Sequence, residues 1–222
     1  KYLAQYFIEE MNGAVLAVNV KDQDFLRMEQ KSTVKSSKVL KEWESLDEKA
    51  RGIGEKGGGF HVYHPANASI PPNVGVSSQI CKAITLDVNG IESESLSGLL
   101  QNVTDTGAQN LPNIFRYWRH HGEGDSFAEF SRYFSEIGDN GGRQFTTLNG
   151  KLEQNQVKIH PGTFENIRRN LESASEFFDN QNAISLKASD ILQKTKMSVI
   201  DVASKENSIQ FGSILLITAA GQ

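Results

Sequence analysis

A chain of 222 residues is long enough for one domain with a substantial core, or for a rod carrying a small globular lobe. Its net charge of -4 and pI near 5.8 argue against a nucleic-acid partner, because no basic stripe stands out to neutralise phosphates. A single cysteine, Cys81, rules out an internal disulfide and makes a thiolate metal site improbable on composition.

A hydrophobic content of 38% and a mean hydropathy of -0.42 suit an elongated molecule with much surface. No stretch reaches the ~18 apolar residues of a membrane span, so no direct span is expected. The chain opens on Lys1 without a signal-peptide pattern, which leaves any upstream targeting segment unread. Sixteen of the nineteen glycines and all five prolines lie between Gly52 and Gly162. That distribution predicts two long helices flanking a folded insertion.

In the first flank, residues 1–51, Leu3, Phe7, Met11, Ala14 and Val18 recur at helical spacing. The stripe resumes with Phe25 and Met28, then Val39, Trp43, Leu46 and Ala50. Lys31, Lys35, Lys38 and Lys41 alternate with Glu29, Glu42 and Glu44, as on a solvated helix face. A helix of fifty residues extends ~75 Å, so it calls for a partner of similar length.

The insertion, residues 52–161, differs in kind. Gly57-Gly58-Gly59 is a linker, lacking the Lys-Ser/Thr and helix start of a phosphate loop. Phe60 to His64 and Ile80 to Val88 read as strands, with turns at Pro71-Pro72-Asn73 and Asn89-Gly90. Leu96 to Val103 and Leu111 to His120 read as short helices. Phe127, Phe130, Tyr133, Phe134 and Ile137 form an apolar helix face, and Asp139 to Gly142 turns the chain. The aromatic residues from Phe115 to Phe134 read as the lobe's core, with a ligand pocket as the alternative.

The second flank, residues 162–222, starts at His160-Pro161-Gly162-Thr163, with Thr163 as N-cap. Phe164, Ile167, Leu171, Ala174 and Phe178 follow the three-four spacing. The stripe turns polar at Gln181 and Ser185, and recovers at Ala188, Leu192, Val199 and Val202. Expected fold class is therefore mainly α with a small α/β insertion. The two flanks pair as an antiparallel coiled coil whose seam comprises Phe25, Met28, Val39, Trp43, Leu46, Ile167, Leu171, Phe178, Leu192 and Val199. That pairing brings Tyr6, Phe7 and Met11 beside Ile209, Phe211 and Ile214, a candidate assembly end that other subunits would bury.

Catalytic chemistry finds little support. His120-His121-Gly122-Glu123-Gly124-Asp125 collects metal-ligand residue types, but adjacent helical residues point about 100° apart. A polar helix end is the plainer reading. His61 and His64 fall on opposite faces of a strand. No metal, cofactor or catalytic residue is assigned.

A long helix, a mixed insertion and a long closing helix resemble the hydrophilic translocators of type III secretion systems, the needle-tip and tip-filament proteins. The Asn/Gln/Ser-rich tract from Asn170 through Asn182 to Leu192 and Ile200 is similar to the closing helix of needle-tip proteins. Residues 3–50 resemble the first core helix of the filament-forming branch. The resemblance implies a secreted, non-enzymatic subunit at the bacterial cell surface that self-associates on the needle. It further implies contacts with the needle subunit and with hydrophobic translocator proteins. Two alternatives stand beside it: an effector enzyme, metal-dependent through His120, His121, Glu123 and Asp125 or built on the aromatic pocket, and an intracellular coiled-coil adaptor.

Overall fold

A computed structural model describes residues 2–21, 25–31, 33–47, 49–55, 57–69, 75–100, 105–185, 188–203 and 212. The chain is α/β. Strands β1 (Val15–Asn19), β2 (Gly59–Pro65), β3 (Cys81–Thr85), β6 (Ile184–Ser185) and β7 (Lys196–Asp201) form a parallel sheet in the order β1-β7-β2-β3-β6. Strands β4 (Gln144–Leu148) and β5 (Gln154–Lys158) form an antiparallel hairpin. The helices are α1 (Tyr2–Glu9), α2 (Ser37–Ser45), α3 (Asp105–His120), α4 (Phe127–Asn140), α5 (Pro161–Ala174) and α6 (Ala188–Ile191). Among the described residues two 3₁₀ turns, Ser93–Leu99 and Ser175–Phe177, accompany them.

The chain divides into two compact units, neither continuous in sequence. The first comprises Lys1–His64, Ile70–Lys82 and Ser189–Ser204; the second comprises Pro65–Ser69, Ala83–Ala188 and Lys205–Gln222.

The first unit is built on β7, which lies between β1 and β2 with Val199 level with Ala17 and Val62. Strands flanked on both edges by parallel neighbours read as near-continuous apolar runs, and Met197, Val199 and Ile200 are all buried. One face of this sheet packs Phe60, Val62, Met197 and Val199 against Ile8 of α1 and against Leu26, Met28 and Ile53.

The second unit packs α3, α4 and α5 with the β4–β5 hairpin around aromatic side chains. Phe134 stacks on Phe145 and Phe164, and Phe115 contacts Trp118 and Phe130. Helix α4 starts on a complete capping box formed by Ser126 and Glu129. Helix α5 starts one turn earlier than expected: His160 is the cap, its ring nitrogen accepts the Gly162 N–H, and Pro161 fills the first helical position. Asp179 clips the unit together by accepting the N–H groups of Val88 and Phe127.

The long helical hairpin does not form. The first flank breaks into α1, β1, a turn region and α2, and the second into α5, a 3₁₀ turn, β6, α6 and β7. The reversals at Asp47, Asp179 and Thr195 occur without glycine or proline, and that at Asn12 uses the first flank's one glycine, Gly13; all four residues have positive φ. Asn and Asp tolerate this left-handed conformation better than other side chains, so a scan for Gly and Pro passes over most of these breaks. The likeness to hydrophilic translocators loses the helices that carried it.

The residues expected along the seam scatter accordingly. Met28 and Val199 share the core of the first unit. Ile167, Leu171 and Phe178 are buried within the second. Phe25, Leu46 and Leu192 are exposed, and α2, which carries Val39 and Trp43, has no buried residue. The facing pairs anticipated between Leu171 or Phe178 and Phe25, Val39, Trp43 or Leu46 belong to different units.

Candidate binding cleft

The candidate site lies in the first unit, at the amino-terminal ends of its strands. Helix α1 ends there because Asn12 adopts φ 50° and Gly13 returns an N–H to Phe7 O at 2.9 Å. A side chain at Gly13 would meet the Phe7 ring at 2.1 Å, so glycine permits the close turn into β1. The segment entering β2 also turns left-handed, with φ 131° at Gly57 and 81° at Gly58. Thr195, at φ 62°, leads into β7. Its N–H donates to Gly13 O at 2.9 Å and its carbonyl accepts the Gly59 N–H at 3.0 Å, tying the three strand entries together.

Between these turns lies a cleft of about 310 Å³, walled by Ile8, Glu9, Glu10 and Asn12 at the end of α1, by Gly57 and Gly58, and by Thr195. That size matches a small ligand group or a single side chain of a partner. Its described lining carries two carboxylates and no cationic side chain.

Glu9 is the distinctive residue. Its side chain is only 5% exposed and pairs through Oε2 with Arg51 Nη2 at 2.8 Å. Its other oxygen, Oε1, is shielded from solvent and accepts no hydrogen bond. An unsatisfied buried polar atom costs roughly 1–3 kcal/mol, and more when it is charged. Arg51 is itself part of the frame, its carbonyl accepting Gln5 Nε2 at 3.2 Å. The adjoining loop is stitched by Glu55, which accepts the Gly52 N–H and pairs with Lys31 at 2.8 Å. The Lys31 hydrogen bond, followed by the Gly52 N–H, holds the Glu55 carboxyl below its ordinary range.

The carboxyl ends of parallel strands are the more usual ligand crevice. Here those of β1 and β7 are closed by a buried pair, in which Asn19 Nδ2 donates to Asp201 Oδ1 at 2.7 Å. Asp201 also accepts the Ala203 N–H at 3.2 Å. That oxygen is therefore satisfied internally, in contrast to Glu9 Oε1.

The histidine cluster does not assemble into a metal centre. Among the described residues no three His, Cys, Asp or Glu side chains converge as ligands. His121 Nδ1 lies 3.0 Å from Tyr117 O, its ring stacked on the Tyr117 ring, and the His120 and His121 rings lie 5.3 Å apart and nearly perpendicular. His61 is half-buried on β2, and burial, followed by Lys82 and Lys196, pushes its pKa down. The aromatic residues Phe115, Trp118, Phe127, Phe130 and Phe134 are fully buried as core.

Of the anticipated assembly end, Tyr6, Phe7 and Met11 are exposed on or just beyond α1, while Ile209, Phe211 and Ile214 lie outside the described residues. The cleft residues themselves escape sequence reasoning. Three separate segments supply them, and only the Glu9-Glu10 pair and the Gly57-Gly58-Gly59 run mark them locally.

No helix among the described residues is long and apolar enough to cross a membrane. No family model matches the chain, and no curated protein or solved structure matches it significantly.

Proposed function

We propose that the protein is a recognition module whose first unit binds a cationic group in the cleft at the end of α1. One observation carries this reading: Glu9 is a buried carboxylate with one oxygen held by Arg51 and the other without a partner. Glu9 belongs to the cleft wall and the terminal torsion of a glutamate is soft, so on this reading Oε1 turns out of its shielded position to meet an entering donor. Glu10 adds a second negative charge at the wall, and Asn12 adds a carboxamide acceptor. A low-dielectric wall strengthens the attraction between buried charge and ligand relative to bulk water.

The lining favours binding over turnover. Thr195 Oγ1 already donates to the Lys194 carbonyl at 2.6 Å, and Glu9 Oε2 is already engaged by Arg51 Nη2 at 2.8 Å. Neither group is set up to attack a substrate or to carry a proton to one.

Titration of isotope-labelled protein with butylammonium tests the reading. Saturable shifts are expected at the amides of Gly57, Gly58 and Thr195, absent with butanol and much reduced in Glu10→Gln. Equal shifts with the alcohol, or none with either probe, would remove the proposal.

A further inference from the structure

We infer that the cationic group is the side-chain ammonium of a lysine in a partner polypeptide, and that apolar residues flanking it cover the exposed face of α1. The inference rests on the cleft reading above and specifies its ligand.

The choice of ammonium follows from the hydrogen-bonding state of Glu9. A guanidinium gains most from a carboxylate with both oxygens free, which it grips through two parallel N–H bonds. Glu9 offers only Oε1, because Oε2 is occupied by Arg51. A primary ammonium is a compact charge with three rotatable donors. It can take one oxygen from Glu9 in a cleft whose wall also includes Glu10 and Asn12.

The choice of a polypeptide follows from what adjoins Glu10. The N–H of Glu10 donates to Tyr6 O at 2.9 Å, continuing the helical turn past α1. At 100° per residue, Glu10 therefore sits above Tyr6 and Phe7, with Leu3 a further turn back on the same face. Leu3 is 81% exposed, Tyr6 50%, Phe7 41% and Met11 60%. Leu3, Tyr6 and Phe7 share a face with Glu10 at helical spacing and Met11 follows just beyond it, so large apolar side chains are left exposed beside a carboxylate, as on surfaces that make protein contacts. The buried face of the helix is instead supplied by Gln5, Ile8 and the Glu9 side chain. A small free amine would satisfy the cleft and leave this face uncovered. A lysine set between apolar residues complements both: its ammonium matches the carboxylates and its neighbours match Leu3, Tyr6, Phe7 and Met11. Its four-carbon stem also carries apolar surface into the cleft past Ile8.

Fluorescence anisotropy with a labelled peptide containing one lysine between leucines tests this, with N-acetyl-lysine methylamide as a competitor that lacks the flanks. The peptide is expected to bind at least about tenfold more tightly than the competitor. Acetylation of its lysine should abolish binding, and an arginine version should bind more weakly. Leu3→Ser with Tyr6→Ser should reduce peptide affinity to that of the competitor and leave competitor binding unchanged. Glu9→Gln and the exposed Glu10→Gln should each weaken both ligands; the second covers the case in which the first fails to fold.

Equal affinity of peptide and competitor would overturn the apolar contact and leave the cation site standing. Tighter binding of the arginine peptide would overturn the ammonium assignment. Peptide binding that ignores lysine acetylation and Glu10→Gln would overturn the lysine seat, and binding of neither ligand would overturn both this inference and the reading beneath it.

Discussion

Gly58 shows how one residue can set a site. A Cβ at this position would lie 2.1 Å from the Thr195 backbone oxygen, and φ is already 81°. Neither the carbonyl, which accepts the Gly59 N–H, nor the turn can move without disturbing the entries of β2 and β7. Gly58→Ala is expected to cost more than about 2 kcal/mol, by strain plus clash. Gly142 provides the control, since its φ is 62° and a Cβ there meets nothing within 4 Å; Gly142→Ala should cost about 1 kcal/mol. Urea titration of both variants separates the two contributions, and equal losses would mean that the Thr195 contact does not constrain the cleft.

Tyr133 gives a second residue-scale prediction. Burial, followed by Tyr117 and Glu123, pushes its phenol up to about 12. An unfolded tyrosine titrates near 10, so between those values the folded chain keeps a proton that the unfolded chain has lost. Stability then falls as pH rises. The contribution is fully present below pH 10 and is lost as pH passes through 12. Phenolate absorbance followed through alkaline unfolding should show late titration from Tyr133, and also from Tyr63, whose phenol burial likewise pushes up; the Tyr133 component should be missing in Tyr133→Phe.

Among the elements, α4 is the best local match between sequence and structure. Its apolar face from Phe127 to Phe134 was legible from spacing alone, and the structure adds the capping box that fixes its start. Ser126→Ala removes the acceptor for the Glu129 N–H and should cost about 1 kcal/mol. Thermal unfolding measures this, and an unchanged midpoint would show that the cap is redundant with the Asp179 clip on Phe127.

Strands β2 and β3 were also readable, because Phe60 to His64 and Ile80 to Val88 are β-branched or aromatic runs bounded by turn residues. By contrast, β1 and β7 were absorbed into helical stripes. Ala14 and Val18 fit a three-four spacing as well as Val15, Ala17 and Asn19 fit the alternation of a strand, in which Val15 and Ala17 turn towards the core of the first unit. Periodicity cannot separate the two in so short an apolar run. On α1 the helix was anticipated but its orientation was not. Leu3, Phe7 and Met11 were expected to be buried, yet the sheet takes Ile8 together with the polar Gln5. The Glu9–Arg51 pair, joining residues 42 apart, is what makes that polar face tolerable, and nothing local in the sequence announces a pairing at such distance.

For the whole molecule, the decisive feature is that β7 comes last among the described strands and sits between β1 and β2. The first unit therefore depends on residues 189–204 as well as on the amino-terminal part of the chain. Without β7, β1 loses its ladder partner among the described residues and Thr195 no longer ties Gly13 to Gly59. Unpaired strand edges and an exposed core face cannot be offset by α2, which buries nothing. A fragment ending at Ser185 should thus lose the first unit and its cleft. The aromatic packing of the second unit, supplied almost entirely by residues 83–188, should survive. The two tryptophans report on the units separately: Trp43 belongs to the first, and the fully buried Trp118 to the second. In the fragment, Trp118 emission should stay blue-shifted and quencher-protected while amide exchange around β1 and β2 becomes fast. If β1 kept its protection in that fragment, the parallel ladder with β7 would not be what holds the first unit together.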